Sequence, residues 1–477
     1  MTAFALHRAR GVAGVAAGLA LAASAAWAAA QPTAGSVPAV AAPTSAATPA
    51  AAPAPAPAPA AGADGQDASR LLIIAVADGP EALPGVGGTP RADYRRLQGY
   101  AGSGRALALA AELARDYALQ PGDAWTIVPL GLRCTLFRLP TGADRDAVLA
   151  ALARDPRVEL AQPLNRFETW QAPPPPAVSA LAPAVAGALP WPYNDPYAGL
   201  QRGLLVLAAA QAQRYTQGQG VRVAVIDTGI DAAHPDLQGR VTTQRDFAAA
   251  AHPLAGTAER HGTAVAGLIA AGANNGIGIV GIAPQARLIG LRACWAVAAP
   301  PGAARCDSFT LAQALGAAIT AEADVINLSL GGPADPLLSR LAAHAMARGA
   351  IIVGALPPSG RREGFPSGVP GVLTVGSSDD TATATATASA TSAGDVLTAP
   401  GRDILSLAPG GSYDYSSGSS VAAAQVSGVV ALLRALRSDV RADAAQRWLA
   451  APNAGPVDAC AAVRQLHPPA LCGPVRP

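Results

Sequence analysis

The stretch "VRVAVIDTGID", Val221 to Asp231, is an apolar run broken by a single arginine, and it closes on an aspartate followed by Thr-Gly. A short β-branched run of this kind reads as a strand buried on both faces, as in parallel sheets covered by helices. Similar segments follow downstream: "ARLIGLRA", "DVINLSL", "AIIVGA" and "VLTVGS". Between them lie helical runs, "HGTAVAGLIAAG", "FTLAQALGAAITAEA" and "PLLSRLAAHAMARG". The alternation predicts an α/β fold with a mostly parallel sheet across residues 199–477. In such sheets functional groups gather at the carboxyl ends of the strands, where Asp227 stands.

Upstream the pattern differs. "RLLIIAVA" (Arg70 to Ala77) reads as a strand, "RALALAAELARDYAL" as a helix, "AWTIVPL" and "RCTLFRL" as strands, "ADRDAVLAALARDP" as a helix and "RVELAQPLNRFE" as a strand. That order is the split βαβ arrangement of a small ferredoxin-like α+β domain, placed at residues 69–170. Two proline-rich tracts flank it. Residues 31–68 lack large hydrophobic side chains and predict an extended linker. Residues 171–198, with "QAPPPPAVSALAPAVAGALPWP", predict an exposed linker open to cleavage. The run "TATATATASATSAG" (Thr381 to Gly394) reads as an exposed loop without a role.

Hydrophobic residues make up 51% of the 477 and charged residues 14%, but the apolar excess is mostly alanine. One uncharged segment, Gly11 to Ala30, raises a membrane question; it follows His7, Arg8 and Arg10 and ends in a small-x-small pattern at Ala26, Ala28 and Ala30. Residues 1–30 therefore read as a cleaved secretory signal rather than a retained anchor, which implies an exported, secreted or periplasmic protein with no membrane attachment afterwards. The formal net charge of +2 implies no nucleic-acid partner. Every lysine-or-arginine position is arginine, which excludes Ser-Lys dyads, Schiff bases and phosphate-loop lysines. Of five cysteines, Cys294 lies near Cys306 and Cys460 near Cys472, spacings that suit short-loop disulfides rather than zinc knuckles. Cys134 is left over.

Three residues could carry chemistry together. Asp227 ends its strand; alone it could be a turn or capping residue, and Asp-Thr-Gly also marks aspartic proteases, which are all-β and need a second such carboxylate. His261 opens a small-residue helix, where a charged imidazole is disfavoured by the helix dipole; alone it could be a capping histidine. Ser419 and Ser420 head "GSSVAAAQVSG" (Gly418 to Gly428), which could be no more than a capped core helix. An aspartate that orients a histidine, a histidine that takes a proton and a serine that attacks make a complete acyl-transfer set, with a helix-start amide available to an oxyanion.

In this order, "VAVIDTGID", "HGTAVAGLIA", "NNGIGIVGIAP", "DVINLSLGGP" and "GSSVAAAQVSG" resemble the blocks of the subtilisin-like serine proteases, the subtilases, over roughly Gly220 to Arg437. The resemblance implies a three-layer α/β catalytic domain and a serine endopeptidase acting on peptides or proteins. It assigns Asp227, His261 and Ser420 to the triad. Ser329, Leu330 and Gly331 match the edge whose backbone pairs with substrate as an added strand. The upstream domain resembles the family's propeptide, an intramolecular inhibitor removed by self-cleavage, with the maturation site in 171–198. No cofactor is implied; structural calcium occurs in the family, but no contiguous carboxylate loop declares a metal site here.

The chain departs from the family at several positions. Ser419, Val421 and Ala424 replace the usual Thr, Met and Pro of the serine block, and Ala264 replaces a second histidine. More consequentially, the Asn that donates to the oxyanion aligns with Pro357 or Pro358, and losing such a donor costs about 10²–10³ in kcat. Ser359 is the nearest hydroxyl in that loop. The competing expectation is a pseudoprotease that binds peptides without turnover; a third is ester hydrolysis by the same triad.

Overall fold

The structure, a computed structural model of the chain, describes residues 68–78, 98–169, 192–253, 260–297, 303–380, 395–450, 455–468, 470 and 472. The signal segment 1–30, nearly all of linker 31–68, residues 171–191 of the second linker and the Thr/Ala run 381–394 lie outside the described residues.

The first elements are β1 (Leu71–Ala77), α1 (Gln98–Asp116), β2 (Gln120–Ile127), β3 (Leu132–Arg138), α2 (Arg145–Leu152), β4 (Leu160–Pro163) and β5 (Arg166–Thr169). Strands β1 to β4 form an antiparallel sheet in the order β2-β3-β1-β4, the order of a ferredoxin-like unit. Strand alternation gives this sheet two apolar faces. Leu72, Ile74 and Val76 pack on α1 and α2 with Leu113, Phe137 and Leu152. Ile73 and Ala75 point the other way, beside Cys134, Ile127 and Leu132. The stretch read as one strand at 157–168 divides: β4 completes this sheet, whereas β5 joins a different one.

The larger part begins with short helices α3 (Arg202–Val206) and α4 (Ala209–Ala212). There follow β6 (Arg222–Asp227), β7 (Val241–Asp246), α5 (Arg260–Ala270), β8 (Arg287–Arg292), β9 (Cys294–Ala296), β10 (Ala304–Asp307), α6 (Ser308–Thr320), β11 (Val325–Leu328), β12 (Leu330–Gly331), α7 (Pro336–Ala347), β13 (Ile351–Ala355) and β14 (Leu373–Ser377). The chain continues through β15 (Leu397–Ala399), the hairpin β16 (Ile404–Ala408) and β17 (Ser412–Ser416), and helices α8 (Ser419–Leu436), α9 (Ala442–Leu449) and α10 (Ala459–Leu466).

Seven strands form one parallel sheet in the order β15-β14-β13-β11-β6-β8-β7. Period-two alternation divides its side chains between two helical layers. Val223, Val225, Val325, Ile351 and Val353 meet α5 and α8, while Ala224, Ile226, Ile326, Leu328 and Ile352 meet α6 and α7. The mostly parallel α/β architecture and its three layers are thus as the sequence predicts. Strands β7 and β15 extend the sheet at its edges; β7 is largely exposed and polar, so no apolar run announces it. Helix α8 is apolar and long enough to cross a membrane by composition, yet it is the buried central helix of the domain.

The outer face of the first sheet closes over α6 and α7, so that Ile73, Ala75 and Cys134 share a core with Leu311, Leu315, Leu337, Leu338 and Leu341. Burial pushes the Cys134 thiol up to about 12. Both short-loop disulfides are present, Cys294–Cys306 and Cys460–Cys472, and Cys134 is a free buried thiol.

The second disulfide ties α10 to residue 472 across a separation of 12 residues. A loop of that size constrains the unfolded chain by about 3 kcal/mol. Replacing Cys460 and Cys472 by alanine together is expected to lower the unfolding free energy by about that amount in a denaturant titration.

Candidate active site

Asp227 is the last residue of β6, the interior strand bearing the opening motif, and its carboxylate is fully buried at the sheet's carboxyl edge. His261 lies in the first turn of α5, 3% exposed. The His261 Nδ1 sits 2.7 Å from Asp227 Oδ1 and 2.8 Å from Oδ2, and the Thr228 backbone N–H donates to Oδ1 at 2.7 Å. A buried carboxylate is costly unless hydrogen-bonded, and these contacts satisfy it while fixing the imidazole plane.

The two motifs are stitched together by Thr228, Asp231, Gly262 and Thr263. Gly262 N–H donates to Thr228 Oγ1 at 3.0 Å, and Asp231 N–H donates to Thr263 Oγ1 at 2.9 Å. A Cβ on Gly262 would stand 2.1 Å from the Gly229 carbonyl oxygen, so only glycine lets α5 begin against the Asp227 loop. The signal was present in the Thr and Gly of "DTGID" and "HGTA", but their partner segments are distant in sequence.

Ser420 is fully buried in the first turn of α8, after Gly418, whose φ of 135° lies in the left-handed half of conformational space. Helix α8 packs on α5, which bears His261. The His261 Nε2, on the far side of the ring from Asp227, has no hydrogen-bond partner among the described residues. Two hydroxyls tie the head of α8 to neighbouring strands. Ser419, read from sequence as a small residue at the helix start, donates to the Leu356 carbonyl oxygen at 2.8 Å, just beyond β13. Ser329 Oγ lies 2.9 Å from the Ser420 carbonyl oxygen and 3.0 Å from Asn327 Oδ1, and Asn327 Nδ2 donates to Ser427 Oγ at 3.0 Å. This buried chain fixes the β11–β12 segment against α8.

Leu330 and Gly331 form β12, the edge on which an added strand was expected, and a strand is paired there. β5 lies antiparallel between β12 and β10, with Thr169 opposite Leu330, Glu168 opposite Gly331 and Phe167 opposite Cys306. Phe167 is fully buried and meets Phe365 edge to face, ring centroids 5.9 Å apart. Immediately before β5, a polar knot forms around the buried Asp335 carboxylate, which caps α7. Its Oδ2 accepts from Gln162 Nε2 at 2.7 Å, Asn165 Nδ2 at 2.9 Å and Ser308 Oγ at 2.6 Å, while Leu338 N–H donates to Oδ1.

In the loop where the family resemblance puts the oxyanion asparagine, Leu356 leads into Pro357 and Pro358, neither of which carries a donor. Ser359 is exposed and turned into its own loop; its hydroxyl donates to Glu363 Oε1 at 3.0 Å and accepts from Arg361 N–H at 3.3 Å. Among the described residues no group of His, Cys, Asp and Glu is gathered as a metal-ligand set.

Comparison with known proteins follows these features. The model of the subtilase family matches residues 218–454, a span that contains Asp227, His261, Ser329 to Gly331 and Ser420. An intracellular serine protease of Paenibacillus polymyxa is 35% identical over 247 residues, covering 50% of this chain and 73% of that one. Thermitase of Thermoactinomyces vulgaris is 34% identical over 244 residues, covering 50% and 84% respectively. Among solved structures, fervidolysin from Fervidobacterium pennivorans superposes with a TM-score of 0.60 at 22% identity, over 78% of this chain and 60% of that one, a likeness of fold. With this sheet, this pair of buried partners and these relatives, the chain belongs to the subtilase family and is a subtilisin-like serine endopeptidase.

Proposed function

We propose that this endopeptidase is exported as a preproprotein, that Asp227, His261 and Ser420 are its triad, and that residues 69–170 are an inhibitory propeptide it removes itself. The observation that carries this reading is β5: a segment of the upstream domain occupies the strand-accepting slot beside β12, where an extended substrate would pair. A chain that fills its own groove is held inactive until that strand leaves. The two short-loop disulfides suit an oxidising compartment.

In the proposed reaction His261 Nε2 takes the Ser420 Oγ proton as Oγ attacks the scissile carbonyl, and Asp227 keeps the tautomer with Nδ1–H toward its carboxylate. Oxyanion charge falls on the helix-start amide at Ser420, an arrangement helix termini favour. The proton then passes from His261 to the leaving amine; water, giving a proton to His261 Nε2, attacks the acyl carbonyl, and that proton returns to Ser420 Oγ as the acyl–Oγ bond breaks and the acid leaves. Peptide backbone on Ser329, Leu330 and Gly331 holds the substrate extended. Without a side-chain donor at Pro357, turnover is slow, and this same absence favours the second reading, a peptide-binding pseudoprotease.

The two readings separate in the full-length chain. Wild type is expected to react with a fluorophosphonate probe and to lose an N-terminal segment ending beyond Thr169, whereas Ser420→Ala does neither; mass and N-terminal sequencing report both. A folded wild type that neither labels nor matures leaves only the pseudoprotease.

Pro357→Asn restores an amide at the oxyanion position and is expected to raise kcat by about tenfold or more on a peptide substrate, with KM little changed.

The Asp335 knot is expected to set how long the cleaved propeptide stays bound. Asp335→Ala leaves Gln162 and Asn165 without their buried acceptor, about 1–3 kcal/mol, or about five- to 150-fold in release. Cys134 reports this directly. Held up at about 12 in the closed interface it is protonated and inert at pH 8, and an exposed thiol, with an ordinary value of about 8.5, reacts with a disulfide reagent.

A further inference from the structure

The slot that β5 fills has unequal walls. On one side β12 is anchored by the buried chain Ser427–Asn327–Ser329 to α8. On the other side β10 has, among the described residues, two strand neighbours, β5 and β9. Once β5 leaves, β10 pairs with β9 alone, through Ala304↔Ala296, Arg305↔Trp295 and Cys306↔Cys294. A two-stranded ribbon this short is marginal by itself. Its final pair is the disulfide Cys294–Cys306, and both cysteines are fully buried. Cys306 is also the register partner of Phe167, the one β5 side chain sealed in an apolar pocket with Leu311, Leu330 and Phe365.

We infer that the Cys294–Cys306 cross-link is a positioning element for substrate: it holds β10 at the spacing from β12 that admits one extended peptide strand. Neighbouring strands stand about 4.8 Å apart, so the slot must keep a width of about two such spacings, near 9.6 Å, when empty. A wall that is already ordered spares an incoming peptide the cost of ordering it, which affects binding rather than the chemical step. The bond touches none of the reacting groups: it joins β9 to β10, whereas the proposed nucleophile and base sit at the heads of α8 and α5. This inference rests on the proposed peptidase activity.

The test compares three matured proteins: wild type, Cys294→Ala/Cys306→Ala, and Cys460→Ala/Cys472→Ala, which lacks only the remote bridge. Each is assayed on a tetrapeptide amide that reaches β10 and on a single-residue ester that does not. The tetrapeptide KM is expected to rise about fivefold or more in the first variant, with kcat within about twofold and the ester constants unchanged, while the second variant keeps wild-type values. A tetrapeptide KM equal to wild type, or an equal loss on the ester, overturns the inference. Should the first variant fail to fold or mature, reducing and alkylating matured Cys460→Ala/Cys472→Ala opens the remaining bridge, and the same shift in KM is expected. Failure of wild type on both substrates and on the fluorophosphonate probe would instead remove the peptidase reading beneath it.

Discussion

The pairing of Asp227 with His261 is the constraint around which the catalytic half is arranged. Two polar groups, one fully buried and the other nearly so, stand at the carboxyl edge of a parallel sheet, a setting in which an unsatisfied carboxylate would cost several kcal/mol. The surroundings answer that cost locally. The backbone of Thr228 donates to the carboxylate, the Thr228 side chain accepts from Gly262, and the absence of a Cβ at Gly262 lets the histidine helix start against the Gly229 carbonyl. The helix carrying Ser420 then packs on the same layer, held at its head by Ser419 and Ser329.

The upstream domain engages the catalytic part in two chemically different ways. Its sheet uses strand alternation to own two cores at once, Leu72, Ile74 and Val76 for itself and Ile73 and Ala75 for helices α6 and α7. Its last strand abandons that sheet and pairs with backbone of both β10 and β12. Between them lies the Asp335 knot, where amide side chains of the upstream domain and the hydroxyl of Ser308 converge on one carboxylate oxygen. Apolar area supplies most of the attraction, while the knot and the strand fix orientation, since hydrogen bonds are directional and burial is not.

Much of this was legible in the linear chain. Apolar runs such as "VRVAVID" and "DVINLSL" are strands because both of their faces are buried, and that composition is written locally. Disulfide pairs twelve residues apart are likewise local. Edge strand β7, exposed and polar, carried no such mark, and the division of 157–168 between β4 and β5 followed from which edge each half could reach. The parts Ser419 and Asn327 play along α8 depend on Leu356 and Ser427, partners far away in sequence.

By itself the sequence determined the α/β alternation and the candidate chemistry at Asp227, His261 and Ser420, because residue type and short spacing suffice for each, and its resemblance to the family put a proline, Pro357 or Pro358, where an amide donor is usual. Only the tertiary structure decided that Phe167 to Thr169 pair between β10 and β12, that Asp335 gathers Gln162, Asn165 and Ser308, and that Cys306 stands opposite Phe167. Apart from the Ser308–Asp335 bond, whose ends lie 27 residues apart, those facts rest on pairing between backbone edges and side chains more than a hundred residues apart. Such pairing is set by which edges and faces the folded sheets leave open, and no local pattern encodes that.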